Sequence, residues 1–131
     1  MKPTVAIVGA SGNRSKFGNK SVRAHLQAGF TVYPIHPRET EIEGLKTYPD
    51  LRAVPRPVNR VTFYVPPKIG VTLLDQVADL APGEFFLNPG SESPELVAGA
   101  RELGLDPIEA CSILAVGEDP EDFADTSGRD S

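Results

Sequence analysis

A glycine-rich turn directly follows a short apolar run near the start of the chain. Residues 4–8 read Thr-Val-Ala-Ile-Val, a β-branched run of the kind that is buried on both faces of a parallel sheet. The turn extends from Gly9 to Gly18, and residues 19–28 then show helical apolar spacing, with Asn19 as the expected N-cap. A strand, a glycine-rich turn and a helix in this order are typical of the first unit of a nucleotide-binding α/β domain.

The alternation of strands and helices continues along the chain. Further strands are predicted at residues 30–35, 61–65, 84–87 and 107–110, with a helical turn at 48–54 and helices at 69–80 and 93–103. The crossover connections between parallel strands are right-handed, and they place helices on both faces of the sheet. The sequence therefore predicts an α/β fold, a Rossmann-like doubly wound parallel sheet of about five strands.

Charge divides the chain into three parts. Residues 1–60 carry a balance of +6, residues 61–116 a balance of −6, and residues 117–131 six acids and one base. We expect residues 1–116 to form the domain and residues 117–131 to form a disordered acidic tail. A basic half in a chain of net charge −5 favours a local anionic ligand, whereas nucleic acid requires a positive surface overall.

Composition bears on location and on metal binding. No apolar run approaches the roughly 20 residues of a membrane span, and the first residues lack a signal-peptide pattern. A cytoplasmic protein without membrane contact is therefore expected. Cys111 is the only cysteine, which excludes an intramolecular disulfide and disfavours a thiolate zinc site. A lone cysteine near a strand end is most often a small core residue, and we expect this of Cys111.

The turn after the first strand is predicted to bind phosphate. Glycines let the backbone approach a phosphate closely, and the following helix presents free N–H groups to an anion. Further donors come from Ser11, Asn13, Arg14, Ser15 and Lys16. The spacing does not match the dinucleotide fingerprint, which needs a glycine at position 11, where this chain has serine. It does not match the Walker A motif either, because Asn19 separates Gly18 from Lys20-Ser21.

A cation follows the second predicted strand. NAD sites carry a carboxylate at this point to accept hydrogen bonds from the ribose. Arg38 instead suits a phosphate on the ribose, as in the 3′-phosphate of coenzyme A or the 2′-phosphate of NADP. Glu39 follows at once and leaves an NAD site open, while His36 is expected to be structural or a minor ligand contact.

Several short motifs occur together in a family-like order. They are Val8-Gly-Ala-Ser11, Phe17-Gly-Asn-Lys20, Pro37-Arg38, Gly44, Tyr48-Pro49, Val65-Pro66-Pro67, Asn88-Pro-Gly90 and Cys111. Through them, residues 3–114 resemble the small CoA-binding domain proteins and are similar to the N-terminal domain of the succinyl-CoA synthetase α subunit and of related acyl-CoA synthetases. Two positions depart from that pattern, because His36 stands where asparagine is usual and Arg38 where lysine is commoner.

The resemblance implies that the cofactor is coenzyme A or an acyl-CoA. It implies that the first turn binds the diphosphate and that the turn after the second strand contacts the ribose phosphate. The turn after the third strand would line the adenine ring, and the turn after the fourth strand would border the pantetheine arm. The residues it implies for these contacts are Gly9, Ala10, Ser11, Gly12, Arg14, Ser15, Lys16, Pro37, Arg38, Val65, Pro66, Pro67, Asn88, Pro89 and Gly90. The synthetase domain with the phosphorylated histidine has no counterpart here, and no catalytic constellation is visible.

Three functions stay open at this stage. The first is a non-catalytic module that binds coenzyme A or an acyl-CoA, as a carrier, a sensor, a partner subunit or a homo-oligomer. The second is an NADP- or NAD-dependent oxidoreductase domain, against which stand Ser11 and the absence of a Tyr/Lys pair near the turns. The third is an interaction domain with a vestigial nucleotide pocket.

Overall fold

The computed structural model describes residues 2–124, in which a five-stranded parallel sheet is flanked by helices. The strands are β1 Thr4–Val8, β2 Thr31–Ile35, β3 Glu41–Ile42, β4 Leu45–Lys46, β5 Arg60–Phe63, β6 Glu84–Leu87 and β7 Pro107–Glu109. The helices are α1 Phe17–Gln27, α2 Pro67–Gly70, α3 Leu74–Leu80, α4 Pro94–Glu102 and α5 Ser112–Ala115. Short 3-10 turns lie at Leu51–Ala53, Val71–Leu73 and Pro120–Phe123.

The order of strands in the sheet is β2-β1-β5-β6-β7, and every neighbouring pair is parallel. The chain first adds β2 on one side of β1 and then returns to place β5 on the other side. Ile7 consequently lies opposite Pro34 on one flank and Thr62 on the other. The predicted α/β fold is confirmed, and the order of strand addition reverses at the carboxyl end of β1.

Alternate side chains of β1 pack into two separate hydrophobic cores, one on each face of the sheet. Val5 and Ile7 pack with Val22 of α1 on one face. Ala6 packs on the other face in a larger cluster that includes Val77 of α3. Because both faces are covered, every residue of β1 after Thr4 is apolar and buried, and the polar residues of β5, Arg60 and Thr62, are buried as well.

A small hairpin formed by β3 and β4 follows β2, and the sequence did not predict it. Its two-residue turn, Glu43 and Gly44, has positive φ at both positions (51° and 75°), as a type I′ hairpin turn requires. Ile42 is buried against the Val5 side of the sheet. Strands of two residues are too short to show a period, and glutamate is an uncommon residue for the left-handed region.

The helix predicted at residues 69–80 is divided in the structure. It begins two residues earlier at Pro67 and consists of α2, a 3-10 turn and α3. Within the 3-10 turn, the Thr72 hydroxyl donates a hydrogen bond of 2.6 Å to the Ile69 carbonyl. Local bonds of this kind compete with the regular helical ladder.

The C-terminal segment contains the 3-10 turn at Pro120–Phe123, which packs against α1 and α5. Phe123 is buried with Ala24 and Ile113. The Arg23 Nη2 atom donates to the carbonyl oxygens of both Phe123 (2.6 Å) and Arg14 (2.8 Å). Phe123 is the one aromatic residue in this acidic segment, and its burial attaches the segment to the domain. Residues 125–131 of the predicted tail lie outside the described residues.

A buried polar cluster lies at the amino ends of the central strands. The guanidinium of Arg60 stacks between the rings of Phe30 and Phe86 and pairs with Glu84 at 2.8 Å. His25 Nε2 lies 3.3 Å from Arg60 Nη1. Burial, aided by the Arg60 charge, lowers the pKa of His25 from 6.5 to about 4. His25 is therefore neutral in the folded protein at neutral pH.

We expect the free energy of unfolding to fall as the pH drops from 6.5 towards 4, because unfolded His25 takes up a proton near 6.5 and folded His25 only near 4. The contribution is complete above pH 6.5, and about 3 kcal/mol is lost by pH 4. Denaturant unfolding of wild type and His25→Gln across this range measures it. His36→Gln removes the other histidine and serves as the control. Parallel pH profiles for wild type and His25→Gln would contradict the expectation.

Candidate functional site

A cavity of about 700 Å³ opens at the carboxyl ends of β1, β2, β5 and β6. Residues from the turns that follow these strands line it, together with the segment after β7. The lining residues are Gly9, Ala10, Ser11, Lys16, Phe17, Gly18, His36, Pro37, Tyr64, Val65, Pro66, Asn88, Pro89, Gly90, Ser91 and Cys111. Its volume is that of a small-molecule site, and it lies where the strand order reverses.

Most of the residues predicted to contact a ligand come together around this cavity. Those that line it are Gly9, Ala10, Ser11, Lys16, Pro37, Val65, Pro66, Asn88, Pro89 and Gly90. Those that do not line it are Gly12, Arg14, Ser15, Arg38 and Pro67. The two ends of the first turn thus face the cavity, whereas its middle lies outside the lining.

Polar side chains hold the middle of the first turn. Ser11 Oγ accepts a hydrogen bond from the Asn13 N–H at 3.0 Å, and Asn13 Oδ1 accepts from the N–H and hydroxyl of Ser15 at 3.0 and 2.7 Å. Asn19 is not the N-cap that the sequence predicts, because α1 begins two residues before it. Its amide instead donates to the Ser11 carbonyl at 2.8 Å, which links the helix to the turn.

The start of α1 packs directly against the end of β1. A Cβ at Gly18 would overlap the carbonyl oxygen of Gly9 and lie 3.2 Å from the Ala10 Cα. Gly9 itself has a φ of +92°, a conformation that favours glycine. This close approach brings the first turn of α1 to the wall of the cavity.

A histidine caps the turn after β2. His36 Nδ1 accepts hydrogen bonds from the N–H groups of Arg38 at 3.0 Å and Glu39 at 2.9 Å, which requires the tautomer protonated on Nε2. The Nδ1 of histidine and the Oδ1 of asparagine are the same number of bonds from the backbone. The ring nitrogen therefore serves as an asparagine oxygen does in such turns. The Arg38 side chain is exposed beside Pro37.

Two carboxylates contact the middle of the first turn. The Gly12 N–H donates to Glu39 Oε2 at 3.2 Å. Glu43 Oε2 accepts from the Asn19 amide at 3.0 Å and lies 3.4 Å from Arg14 Nε, an ion pair without hydrogen-bond geometry. The amide and the guanidinium predicted to hold a diphosphate therefore have anionic partners within the chain.

A buried hydrogen-bond network forms the floor of the cavity around Asn88. The Asn88 Nδ2 atom donates to Thr62 Oγ1 at 2.6 Å and to the Phe63 carbonyl at 2.8 Å. Its Oδ1 accepts from the N–H of Ser112 at 2.8 Å and from the Ser112 hydroxyl at 3.1 Å. The amide group is therefore engaged within the protein and ties together the ends of β5 and β6 and the start of α5.

The sequence did not identify Phe17, Gly18, Tyr64 and Ser91 as lining residues. The Tyr64 hydroxyl shares a 2.9 Å hydrogen bond with Ser112 Oγ, and burial raises the pKa of Tyr64 to about 12. Tyr64 immediately precedes the predicted Val65, so its position after a central strand was an available signal. Phe17 was visible as an aromatic residue in a polar turn, and it is 53% exposed.

The core position expected for Cys111 is corrected by the structure. Cys111 is half-buried and lines the cavity, although it also packs against the small cluster that contains Ala24 and Ile113. The segment after β7 ends at the same sheet edge as the other turns, and this brings the side chain to the cavity wall.

Two further features are absent from residues 2–124. No group of three or more His, Cys, Asp or Glu side chains in this range is arranged to hold a metal ion. None of the helices described there has the length and apolar character needed to cross a bilayer.

The chain is similar to a CoA ligase subunit and to part of an acetyl-coenzyme A synthetase. The α subunit of an ADP-forming acetate–CoA ligase II from Pyrococcus furiosus is 33% identical over an alignment of 112 residues that covers 77% of this chain and 24% of that subunit. This chain thus spans about a quarter of that relative. A dinucleotide-forming acetyl-coenzyme A synthetase from Ca. Korarchaeum cryptofilum, solved with phosphate and ADP, superimposes with a TM-score of 0.68 at 30% identity over 82% of this chain and 25% of its own.

A solved structure of similar size also matches. A conserved hypothetical protein from Pyrococcus furiosus superimposes with a TM-score of 0.77 at 30% identity, covering 88% of this chain and 99% of its own. The model of the CoA binding domain family matches residues 3–117, nearly the whole part of the chain that the structure describes. The resemblance stated from the sequence motifs is confirmed, and the chain belongs to the CoA binding domain family.

Proposed function

We propose that this domain binds coenzyme A in the cavity at the carboxyl edge of the sheet and performs no chemistry on it. The observation that carries the proposal is the convergence of four turns on one cavity of about 700 Å³ at the reversal of strand order. Ligands of doubly wound sheets bind at this position. Membership of the CoA binding domain family supports the identity of the ligand.

In this proposal the diphosphate lies along the first turn, between its two cavity-facing ends, and one phosphate takes the Gly12 N–H that Glu39 holds in the free protein. Gly9 and Ser11 form one side, and the start of α1 at Phe17 forms the other. Helix N-termini stabilise anions through free N–H groups and the helix dipole. Lys16 lines the same part of the cavity and adds a positive charge. These groups complement a doubly ionised diphosphate.

The rest of the ligand extends along the sheet edge. Val65 and Pro66 supply an apolar wall for the adenine ring, and Pro37 leads to Arg38, which faces the ribose phosphate in this proposal. The pantetheine arm runs towards the Pro89 turn and Cys111. An acyl-CoA fits the same site, because the acyl group replaces only the thiol hydrogen at the far end of the ligand.

The polar groups of the cavity favour binding over catalysis. Tyr64, with a pKa of about 12, is a poor general base at neutral pH, and its hydroxyl is bonded to Ser112. The Asn88 amide is engaged by backbone and hydroxyl partners. These side chains act as a rigid floor under the ligand.

A dinucleotide site is the second candidate, because Glu39 provides a carboxylate just after β2, where NAD sites carry one. The serine at position 11 weighs against it, since the dinucleotide fingerprint places its second glycine there. Measuring the affinities of coenzyme A, NAD and NADP by calorimetry distinguishes the two candidates. Tighter binding of NAD or NADP than of coenzyme A would refute the coenzyme A assignment.

Replacing Arg38 with alanine is expected to weaken coenzyme A binding about tenfold to a hundredfold, because a charge-assisted phosphate contact contributes roughly 1.5–3 kcal/mol. Wild type should lose a similar factor when the ligand is dephospho-coenzyme A. Arg38→Ala should then discriminate little between the two ligands, since each change removes one half of the same contact. Calorimetry with both proteins and both ligands measures all four affinities.

The matched control for this experiment is Arg52→Ala, which removes another exposed cation that does not line the cavity. Its affinity for coenzyme A should stay within about twofold of wild type, because exposed charges away from a ligand contribute little in physiological salt. Equal affinity of wild type for coenzyme A and dephospho-coenzyme A would exclude Arg38 from the site.

The physiological role in this proposal is that of a carrier, a sensor or a subunit. The ligase relative is an α subunit, and this chain spans 24% of its length. A domain that only holds the cofactor needs a different protein to act on it, so we propose a partner subunit as the site of any chemistry.

A further inference from the structure

We infer that Glu39 is an internal competitor of the ligand: its carboxylate covers the Gly12 amide in the free protein and must leave before a diphosphate binds there. The inference rests on the proposed function, because it concerns the same turn. It identifies a residue that sets affinity from a position outside the cavity lining.

The contact of Glu39 with the turn is direct. Its Oε2 accepts the Gly12 N–H at 3.2 Å, and its Oε1 lies 2.6 Å from the position that a Cβ on Gly12 would occupy. The carboxylate therefore lies against the exposed face of the glycine that was expected to receive a phosphate. An anionic side chain already occupies the partner that the phosphate requires.

The backbone around Glu39 holds it in this place. His36 Nδ1 accepts the N–H of Glu39, and His36 Nε2 lies 3.5 Å from the Glu39 carboxylate. Shortly after it, the β3–β4 hairpin is anchored by the buried Ile42. Glu39 is thus presented to the turn by a short segment fixed at both ends.

A phosphate and this carboxylate exclude each other at Gly12. Both are anions, and both need the same N–H as donor. When a site is open in only a fraction of the molecules, the apparent dissociation constant is the intrinsic constant divided by that fraction. Removing the carboxylate should therefore tighten the binding of any ligand that places a phosphate on this turn. A carboxylate that bonded a ligand ribose would have the opposite effect, so the sign of the change separates the two roles.

The experiment compares wild type, Glu39→Gln, Glu39→Ala and Glu41→Gln in calorimetric titrations with coenzyme A. The first two variants remove the charge with and without keeping the shape of the side chain. Glu41→Gln removes the same charge two residues away, from an exposed position in β3 that pairs with Lys46 across the hairpin. It therefore measures how much the affinity for an anionic ligand rises when any nearby negative charge is removed.

Glu39→Ala should bind coenzyme A about tenfold more tightly than wild type, which corresponds to a turn that is covered in roughly nine molecules of ten. Glu39→Gln should gain less, because its amide oxygen can still accept the Gly12 N–H although its charge is gone. Glu41→Gln should stay within about twofold of wild type. In the free protein, the amide resonance of Gly12 should shift in Glu39→Ala and remain in place in Glu41→Gln. This second measurement detects the contact without a ligand.

The failure of this inference differs from the failure of the proposed function. If wild type binds coenzyme A and both Glu39 variants bind it equally or more weakly, the competitor role is refuted and the binding function stands. If only the Glu39 variants bind, the competitor role is supported in its strongest form. If none of the four proteins binds coenzyme A, both the binding function and the competitor role are refuted.

Discussion

Replacing Gly18 with alanine is expected to destabilise the domain by about 3–5 kcal/mol, a large part of the 5–15 kcal/mol that holds a typical domain together. Helix propensity predicts the opposite sign, because alanine in place of glycine within a helix normally stabilises by up to about 1 kcal/mol. The added methyl group would overlap the Gly9 carbonyl. The atoms it would meet, in Gly9 and Ala10, belong to the backbone and have little freedom to move. Chemical denaturation of wild type and variant measures the difference.

Gly83→Ala is the matched control for this substitution. A Cβ at position 83 would meet the Asn59 carbonyl at 3.4 Å, an ordinary contact, and Gly83 has no positive φ. Its free energy of unfolding should change by less than about 1 kcal/mol. If Gly18→Ala proves as stable as Gly83→Ala, the close approach of α1 to β1 is not a constraint on the fold.

Removing the Asn88 side chain is expected to cost about 3 kcal/mol of stability and to weaken coenzyme A binding as well. Asn88→Ala leaves Ser112 without the acceptor of its N–H and leaves the Phe63 carbonyl without a side-chain donor. Buried groups that lose a partner cost about 1–3 kcal/mol each. The turn that carries Pro89 and Gly90 would lose its attachment to the floor of the cavity. Unfolding in denaturant and calorimetry with coenzyme A measure the two effects.

A double-mutant cycle with Ser112→Ala tests whether the network acts as a unit. Ser112→Ala removes the hydroxyl bonds to Asn88, Thr62 and Tyr64 and keeps the backbone N–H. Because the two residues are in direct contact, the double variant should be less destabilised than the sum of the single variants. Strict additivity would show that Asn88 and Ser112 stabilise the domain independently.

The regular part of the fold was predictable because burial leaves a strong signal in sequence. The strand at residues 84–87 has in the structure the bounds that its apolar run indicates. The start of α1 was misjudged because Asn19 has the chemistry of an N-cap. Asn19 instead uses its amide to hold the preceding turn, a contact that spacing alone does not reveal.

The candidate site was predictable to the extent that it follows from strand ends. Residues at the ends of β1, β2, β5 and β6 meet at one edge in any parallel sheet, which is why ten of the expected residues line the cavity. The contacts of Glu39 and Glu43 with the first turn were not predictable. They depend on how a hairpin of two-residue strands folds back, and that geometry comes from tertiary packing of Ile42 and not from a local pattern.

The guanidinium of Arg23 bonds to two distant parts of the backbone, the Arg14 carbonyl in the first turn and the Phe123 carbonyl in the last described turn. A displacement of the C-terminal turn would therefore be transmitted to the first turn through one planar group. Loss of this one side chain would release both turns from α1 at the same time.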